Sequence, residues 1–221
     1  MGTTFTATGS VTSSVGTKLT RTEMNSEVAD IVKRTDKTTA INTRLQWAMD
    51  EIAGMYSWRS LRGEDTSIVL VESDKTYSIP ATMRFISGVR NVDETDEESR
   101  YLTYKEPDEF HDNYPYPESG TEGRPRVWMR EGDVITIYPI PSSSEVGEKL
   151  YLHGQLWPTA FSGDSSTSSL SRVLDKAIIY LAASMTFESI QEEDVAETWA
   201  KKAENIINRE WGNESAHNEG E

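Results

Sequence analysis

The sequence predicts an α+β fold, in which helices from both ends of the chain form one bundle and the middle of the chain forms an inserted antiparallel β domain. Apolar residues recur at helical spacing near both ends of the chain, but alternate with polar residues between positions 63 and 162. Both helical groups carry apolar faces that need covering, which favours packing them together. The predicted parts are an extended arm at 1–18, the bundle at 19–62 and 166–212, the β domain at 63–162, and a tail at 213–221.

The N-terminal arm consists mainly of Thr, Ser and Gly, with Phe5, Val11 and Val15 as isolated apolar residues. Such a segment buries too little apolar surface to offset the entropy lost on ordering. We therefore expect residues 1–18 to be an extended arm that is flexible unless a neighbour holds it.

The first helix begins at a capping box, in which Thr20 is followed three residues later by Glu23. After a break at 34–37, where Asp36 is the expected cap, a second helix continues. Its apolar positions follow the 3.6-residue period. They are Ile41, Leu45, Ala48, Ile52 and Met55.

Six or seven short strands are expected in the middle of the chain, and they fit either a β-sandwich or a small barrel. The best-defined pair forms a hairpin at 124–141, with its turn at residues 131–133. The other predicted strands lie at 67–72, 76–79, 84–92, 101–104 and 149–157.

Two helices are expected after the Ser-rich linker at 162–171. The first is apolar nearly all round through its middle, which predicts a place at the centre of the bundle. The second is expected from 192 to 211, with Gly212 as its stop and a polar, unstructured tail beyond. The side chains expected to face the bundle are Val173, Ala177, Ile178, Leu181, Ala182, Met185 and Phe187 in the first helix, and Val195, Trp199, Ala203, Ile206 and Ile207 in the second.

Composition limits the possible functions. Asp and Glu total 37 against 22 Lys and Arg, and the formal charge of −15 disfavours nonspecific binding to nucleic acid. The absence of cysteine excludes disulfides, thiolate catalysis and zinc–thiolate sites. The longest apolar run, at 177–187, is well short of the roughly 18 residues that span a bilayer, and the N-terminus lacks secretory-signal features. We expect no membrane partner and synthesis in the cytoplasm.

No enzymatic activity, metal or cofactor is expected, because the sequence contains no nucleophile, phosphate-loop or metal-ligand motif. His111 lies among carboxylates, and residues 93–98 form an acidic loop, but neither has metal-ligand spacing. A carbohydrate-binding module or glycosidase is the remaining chemical alternative, with Trp58, Trp128 and Trp157 as possible sugar platforms.

Three stretches resemble the head-to-tail adaptor (connector) proteins of tailed bacteriophages. These are LQWAMDEIAGMYSWRSLRGEDTSIVLVESDKTYSIPATMRFI, GDVITIYPIPSSSEVGEKLYLHGQLWP, and the helix pair around LDKAIIYLAASMTFE and AETWAKKAENIINREW. Together they cover residues 40–211. In the first stretch, the matching positions are Leu45, Ile52, Trp58, Ile68, Leu70, Tyr77, Ile79 and Pro80.

The resemblance implies a structural virion protein of the neck, made in the host cytoplasm. Its copies would form a ring, commonly a dodecamer, beneath the portal protein, and DNA would pass through the lumen without sequence-specific contacts. The C-terminal part at 196–221 would face the portal, and the β domain would either face the ring exterior or meet tail or nozzle proteins. Another neck or tail-completion subunit of similar build is the nearest alternative. The implied portal or ring interface contains Trp199, Ile206, Ile207 and Trp211, and the implied tail-docking hairpin contains Trp128, Arg130 and Tyr138.

Overall fold

The computed structural model describes residues 17–95, 97–115 and 121–218, so most of the predicted arm lies outside the described residues. The helices within these ranges are α1 (Arg21–Val32), α2 (Thr38–Met55), α3 (Pro107–Asn113), α4 (Asp175–Glu188) and α5 (Glu193–Asn218). The strands are β1 (Arg62–Val69), β2 (Thr76–Ser78), β3 (Met83–Asp93), β4 (Glu98–Tyr101), β5 (Thr103–Tyr104), β6 (Val127–Glu131), β7 (Val134–Tyr138) and β8 (Lys149–Leu156).

Helices from both ends of the chain share one hydrophobic core, which confirms the predicted bundle. Helix α4 lies at its centre and contacts α1, α2 and α5. Its apolar residues are buried on several sides, as expected of a helix surrounded by others. The central side chains of the bundle include Met24, Ile41, Leu45, Ile52, Trp58, Ile178 and Ile207.

The start of α1 has the predicted capping box. The backbone N–H of Glu23 donates to the Thr20 hydroxyl at 3.3 Å, and the backbone N–H of Thr20 donates to the Glu23 carboxylate at 2.8 Å. The Ser-rich linker lies against this helix start, because the Arg21 N–H donates to the carbonyl of Ser166 at 2.8 Å. The prediction that Asp36 caps α2 was wrong, since its carboxylate binds the guanidinium of Arg34 instead.

Helix α5 is longer than predicted. It continues past Gly212 to Asn218, so the prediction of a stop at Gly212 was wrong. A glycine inside a helix costs only about 1 kcal/mol relative to alanine, which a single tertiary contact can offset. Such a contact exists here, because the backbone N–H of Arg59 donates to the Glu214 carboxylate at 2.9 Å.

The β domain is a sandwich of two open four-stranded sheets and not a barrel. One sheet has the order β1-β8-β3-β4, and the other has the order β2-β7-β6-β5. Side chains that alternate inward from both sheets form a second hydrophobic core. This core contains Ile68, Leu70, Tyr77, Met83, Ile86, Val89, Leu102, Trp128, Ile135, Ile137, Leu150 and Leu152.

The strands differ from the prediction in the pairing of β5 and in the start of β1. Strand β5 pairs with β6 in parallel, with Thr103 opposite Val127, so the second sheet is mixed. The chain between them includes α3, and a parallel pair needs a crossover of this length. Strand β1 begins at Arg62, five residues earlier than expected, and its pairing with β8 shifts register between Asp65 and Ile68.

Helix α3 was not predicted from the sequence. Glu106 occupies the N-cap, Pro107 occupies the first turn, and Phe110 is fully buried. Proline in the first turn followed by acidic residues is a recognised helix-start signal, so the sequence did carry the information.

Arg84 on β3 joins the β domain to the bundle. Its guanidinium donates to the carbonyls of Ala53 at 2.6 Å and Tyr56 at 2.9 Å, and also to the carbonyl of Gly54. These carbonyls end α2, where unpaired acceptors and the helix dipole favour a cation. One side chain therefore closes the end of α2 and holds the sandwich against it.

Candidate functional site

Helix α5 presents one face to the core and two flanks to its surroundings. Ala196, Ala203 and Ile207 recur at helical spacing on the buried face. At about 100° per residue, two further sets of residues lie on opposite sides of that face. The first set is Val195, Trp199, Lys202, Ile206 and Arg209, and the second is Glu197, Lys201, Glu204 and Asn208.

The first set adjoins the start of α4 and forms a surface that we call the basic flank. It consists of Arg172, Val173, Lys176, Trp199, Lys202, Ile206 and Arg209. A groove of about 390 Å³ runs through it, with Val173, Ile206 and Arg209 among its walls. The Lys202 ammonium lies 3.7 Å from the centre of the Trp199 ring, and that ring packs on Tyr180 at 5.1 Å.

One carboxylate, that of Asp175, lies at the bottom of the basic flank. It is buried and accepts the backbone N–H of Leu19 at 2.9 Å. Burial raises the pKa of Asp175, against the opposing effects of this hydrogen bond and of the cations Lys18 and Arg172. Among the described residues, none of the four cations of the basic flank forms an ion pair.

The second set adjoins the end of α2 and forms a surface that we call the acidic flank. It consists of Trp47, Glu51, Met55, Glu197, Ala200, Lys201 and Glu204. Its groove has a volume of about 420 Å³ and an apolar floor that includes Leu181. Trp47 and Met55 are 58% and 45% exposed, unusually high fractions for large apolar side chains, and Glu51 lies between them on the same helical stripe.

The structure separates the four residues of the predicted portal or ring interface. Trp199 and Ile206 lie together on the basic flank, whereas Ile207 is buried in the core. Trp211 stacks on Tyr56 with ring centres 4.7 Å apart and packs edge-on against Trp58. Trp211 therefore holds the end of α5 to the bundle, and a role in binding a partner remains a prediction for Trp199 and Ile206.

The side chains of the predicted tail-docking hairpin are largely used within the β domain. Trp128 is 4% exposed and packs on Tyr104, and Tyr138 stacks on Tyr114 at 4.3 Å. The Arg130 guanidinium donates to the carbonyl of Gly132 at 2.9 Å. Docking by this hairpin remains a prediction, and its accessible part is the turn together with Arg130.

The outer face of the β1-β8-β3-β4 sheet is a further surface that was not predicted from the sequence. Phe85 and Tyr101 are strongly exposed there. The Arg90 guanidinium lies 6.0 Å from the centre of the Tyr101 ring, and the Glu64 carboxylate approaches both Arg90 at 3.7 Å and His153 at 3.0 Å. The sequence signal that could have indicated this face is the alternation of side chains along each strand, because every second residue points away from the core.

The residues considered for chemistry do not converge. His111 is exposed on α3, with its Nε2 atom 3.8 Å from Glu131. Trp58 and Trp128 are buried, so of the three tryptophans considered as sugar platforms only Trp157 is accessible. Within the described ranges, no group of three or more possible ligands is placed to hold a metal ion. No described helix has both the length and the apolar character needed to cross a bilayer.

Residues 19–219 of the 221-residue chain match the family model of the SU10 adaptor protein. Comparison with curated proteins gives no match. Because the family model matches well over half of the chain, the chain belongs to the SU10 adaptor protein family and is a phage adaptor protein.

Proposed function

We propose that this adaptor forms a ring beneath the portal protein, extends the DNA channel towards the tail, and provides the surface on which tail or nozzle proteins dock. The observation that carries the proposal is the family match, which spans both the bundle and the β domain. The resemblance found in the sequence points to the same role.

The surface of the bundle supports ring formation. Large apolar side chains rimmed by charged residues mark interaction surfaces on soluble proteins. Trp47 and Met55 meet this description on one side of α5, and Val173 and Ile206 meet it on the other. A subunit with a partner on each side would cover both surfaces.

The net charge supports passage of DNA through the lumen. Each copy carries −15, so twelve copies would carry about 180 formal negative charges. Only charges within a Debye length of about 8 Å act on the duplex at physiological salt. Carboxylates on the channel wall would repel phosphates and keep the DNA from adhering, so the purified chain should bind duplex DNA weakly at that salt concentration.

The outer face of the β1-β8-β3-β4 sheet supports docking of a tail component. Exposed aromatic rings beside an arginine are the side chains most enriched at protein interfaces. Arg90 and Tyr101 form such a group, and Phe85 is exposed on the same strand as Arg90. The sheet is also fixed to the bundle through Arg84, so a partner bound there would be held rigidly to the ring.

Electron-microscopic imaging of the purified chain mixed with its portal protein tests the proposal. Rings with a central hole, stacked coaxially on the portal, are expected. A chain that remains monomeric and leaves the portal bare would contradict the proposal. Binding to a tail component and not to the portal would instead indicate another neck or tail-completion subunit.

A further inference from the structure

We propose that the basic flank of one copy docks onto the acidic flank of the next copy, and that this contact repeats around the ring. This inference rests on the proposed function, because it names the surfaces by which ring neighbours meet. Both flanks border α5, so this one helix would contribute to the contact on each side of every subunit.

The two flanks are complementary in charge. The basic flank carries four cations, at Arg172, Lys176, Lys202 and Arg209, and Asp175 is the buried acid beneath them. The acidic flank carries three carboxylates, at Glu51, Glu197 and Glu204. Lys201, on the same flank, is already paired with Glu197 at 2.7 Å. Opposite charges that meet across an interface favour the correct partner and orientation.

The two flanks are also complementary in apolar content. On the basic flank, Val173 is exposed, and Trp199 and Ile206 are half-buried beside a groove. On the acidic flank, Met55 lines a groove with an apolar floor, and Trp47 is exposed on the same stripe of α2. Each surface therefore has an apolar centre and a charged rim, which is the usual arrangement of a protein interface.

The positions of the flanks favour a head-to-tail contact over a two-fold one. A two-fold contact centred on either flank would bring that flank against its own copy and place like charges together. A contact between different flanks leaves one basic and one acidic flank free at the ends of every partial assembly. Further copies can therefore add to both ends until the rotation between neighbours closes a ring, in which no flank is unpaired.

Charge reversal tests the pairing. Lys176→Glu with Arg209→Glu reverses the basic flank, and Glu51→Lys with Glu204→Lys reverses the acidic flank. All four side chains are exposed, so the fold should be kept. Each double variant alone should form at least about tenfold fewer rings on the portal than the unchanged chain. An equal mixture of the two double variants should restore ring formation, because each reversed flank then meets its complement.

The quadruple variant should also assemble by itself. Lys33→Glu with Arg100→Glu is the matched control for the basic-flank variant, since it also replaces two cations by two carboxylates, at exposed positions outside both flanks. That control should assemble normally. If the basic flank instead binds DNA phosphates or an acidic segment of another protein, reversing the acidic flank will not rescue the basic-flank variant, and the inference is overturned.

Cysteine cross-linking gives an independent readout, because the chain contains no cysteine. A variant with both Glu51→Cys and Lys202→Cys should form a ladder of covalent multimers when oxidised in the presence of the portal. Neither single-cysteine variant should form more than background dimer. Efficient dimers of a single-cysteine variant would show a two-fold contact and contradict the inference. Rings without a ladder would refute only the inference, whereas the absence of rings for the unchanged chain would refute the proposed function.

Discussion

The helical bundle and the β domain both have apolar cores, but they differ in the groups to which their buried polar side chains bind. In the bundle, the polar groups inside the core mostly bind nearby backbone, as when the Ser184 hydroxyl donates to the carbonyl of Ala196 at 2.9 Å. In the β domain, Glu145 and Glu148 are buried near Arg124. The bundle can therefore keep most of its charged side chains on the surface, where they are available to neighbouring subunits.

Arg124 organises the charged cluster of the β domain. Its guanidinium donates to the Glu148 carboxylate at 2.7 Å and to the Glu98 carboxylate, and it lies 3.6 Å from Asp93. Burial raises the pKa of Glu148, and the nearby Arg124 opposes this effect. The β domain thus combines its apolar core with a partly buried ion cluster.

Trp58→Ala should give the largest loss of stability. The Trp58 side chain is fully buried, its indole N–H donates to the carbonyl of Ile52 at 2.7 Å, and its ring packs edge-on against Tyr56 and Trp211. Removing so large a core side chain should lower the free energy of unfolding by about 3–5 kcal/mol, measured by urea denaturation. The loss should be insensitive to salt. Trp58→Phe, which keeps a ring, should lose less, and equal losses in the two variants would contradict this account of the core.

Arg124→Met should destabilise the β domain by about 2–3 kcal/mol at neutral pH, because the nearly buried Glu148 carboxylate loses its cation. The loss should shrink as the pH falls, since Glu148 then becomes protonated. The same denaturation measured at two pH values checks this. Adding Glu148→Gln should recover most of the stability. An Arg124→Met defect that neither acid nor Glu148→Gln reduces would show that the cluster is not electrostatic.

Arg84→Ala should lower the free energy of unfolding by about 1–2 kcal/mol, since it leaves the carbonyls at the end of α2 without a charged donor. It should also loosen the two regions relative to each other, visible as faster proteolysis between α2 and β1. Arg84→Lys keeps the charge but not the planar fork, so its effect should be intermediate. Unchanged proteolysis in Arg84→Ala would mean that other contacts fix the domains.

Asp175→Asn should have the smallest effect, about 1 kcal/mol or less, and should be stabilising at neutral pH. Burial raises the pKa of Asp175 above its value in the unfolded chain. At pH values above the folded pKa, the ionised Asp175 side chain therefore lowers the stability of the folded protein. At pH values below the unfolded pKa, the side chain is neutral in both states and this loss is absent. Asparagine can still accept the N–H of Leu19. The advantage of Asp175→Asn over the unchanged chain should disappear by about pH 4 in thermal unfolding. An advantage that grows with acid would contradict the stated pKa direction.

The bundle could be predicted well because its signals are local. The Thr20 capping box and the 3.6-residue periodicity depend on residues three or four positions apart, and the structure confirms both. Periodicity does not show where the buried face of a helix ends. Val173 and Val195 were expected to face the core but are exposed on the side of the basic flank, and Met55 is exposed on the side of the acidic flank. These wrongly assigned residues contribute to or border the proposed flanks, so sequence alone could not distinguish core from interface there.

The β domain was harder to predict because its pairing is non-local. Alternation identified the strands but not their partners, so neither the parallel pairing of β5 with β6 nor the choice of sandwich over barrel could be read from the chain. The Arg124 cluster was also missed, since Asp93, Glu98 and Glu148 are brought to Arg124 only by the fold. The acidic loop was recognised by composition, but its cation lies 26 residues further along the chain from Glu98.

Hydroxyl-radical footprinting of the free chain and of the chain assembled on its portal most directly tests the assignment of the bundle to ring formation. Tryptophan and methionine react readily, and Trp47 and Met55 are accessible in the single chain. Assembly should protect both residues, whereas Phe85 and Tyr101 on the β domain should stay reactive until a tail component is added. If Trp47 and Met55 are as reactive in the assembly as in the free chain, the bundle flanks do not form the ring contact.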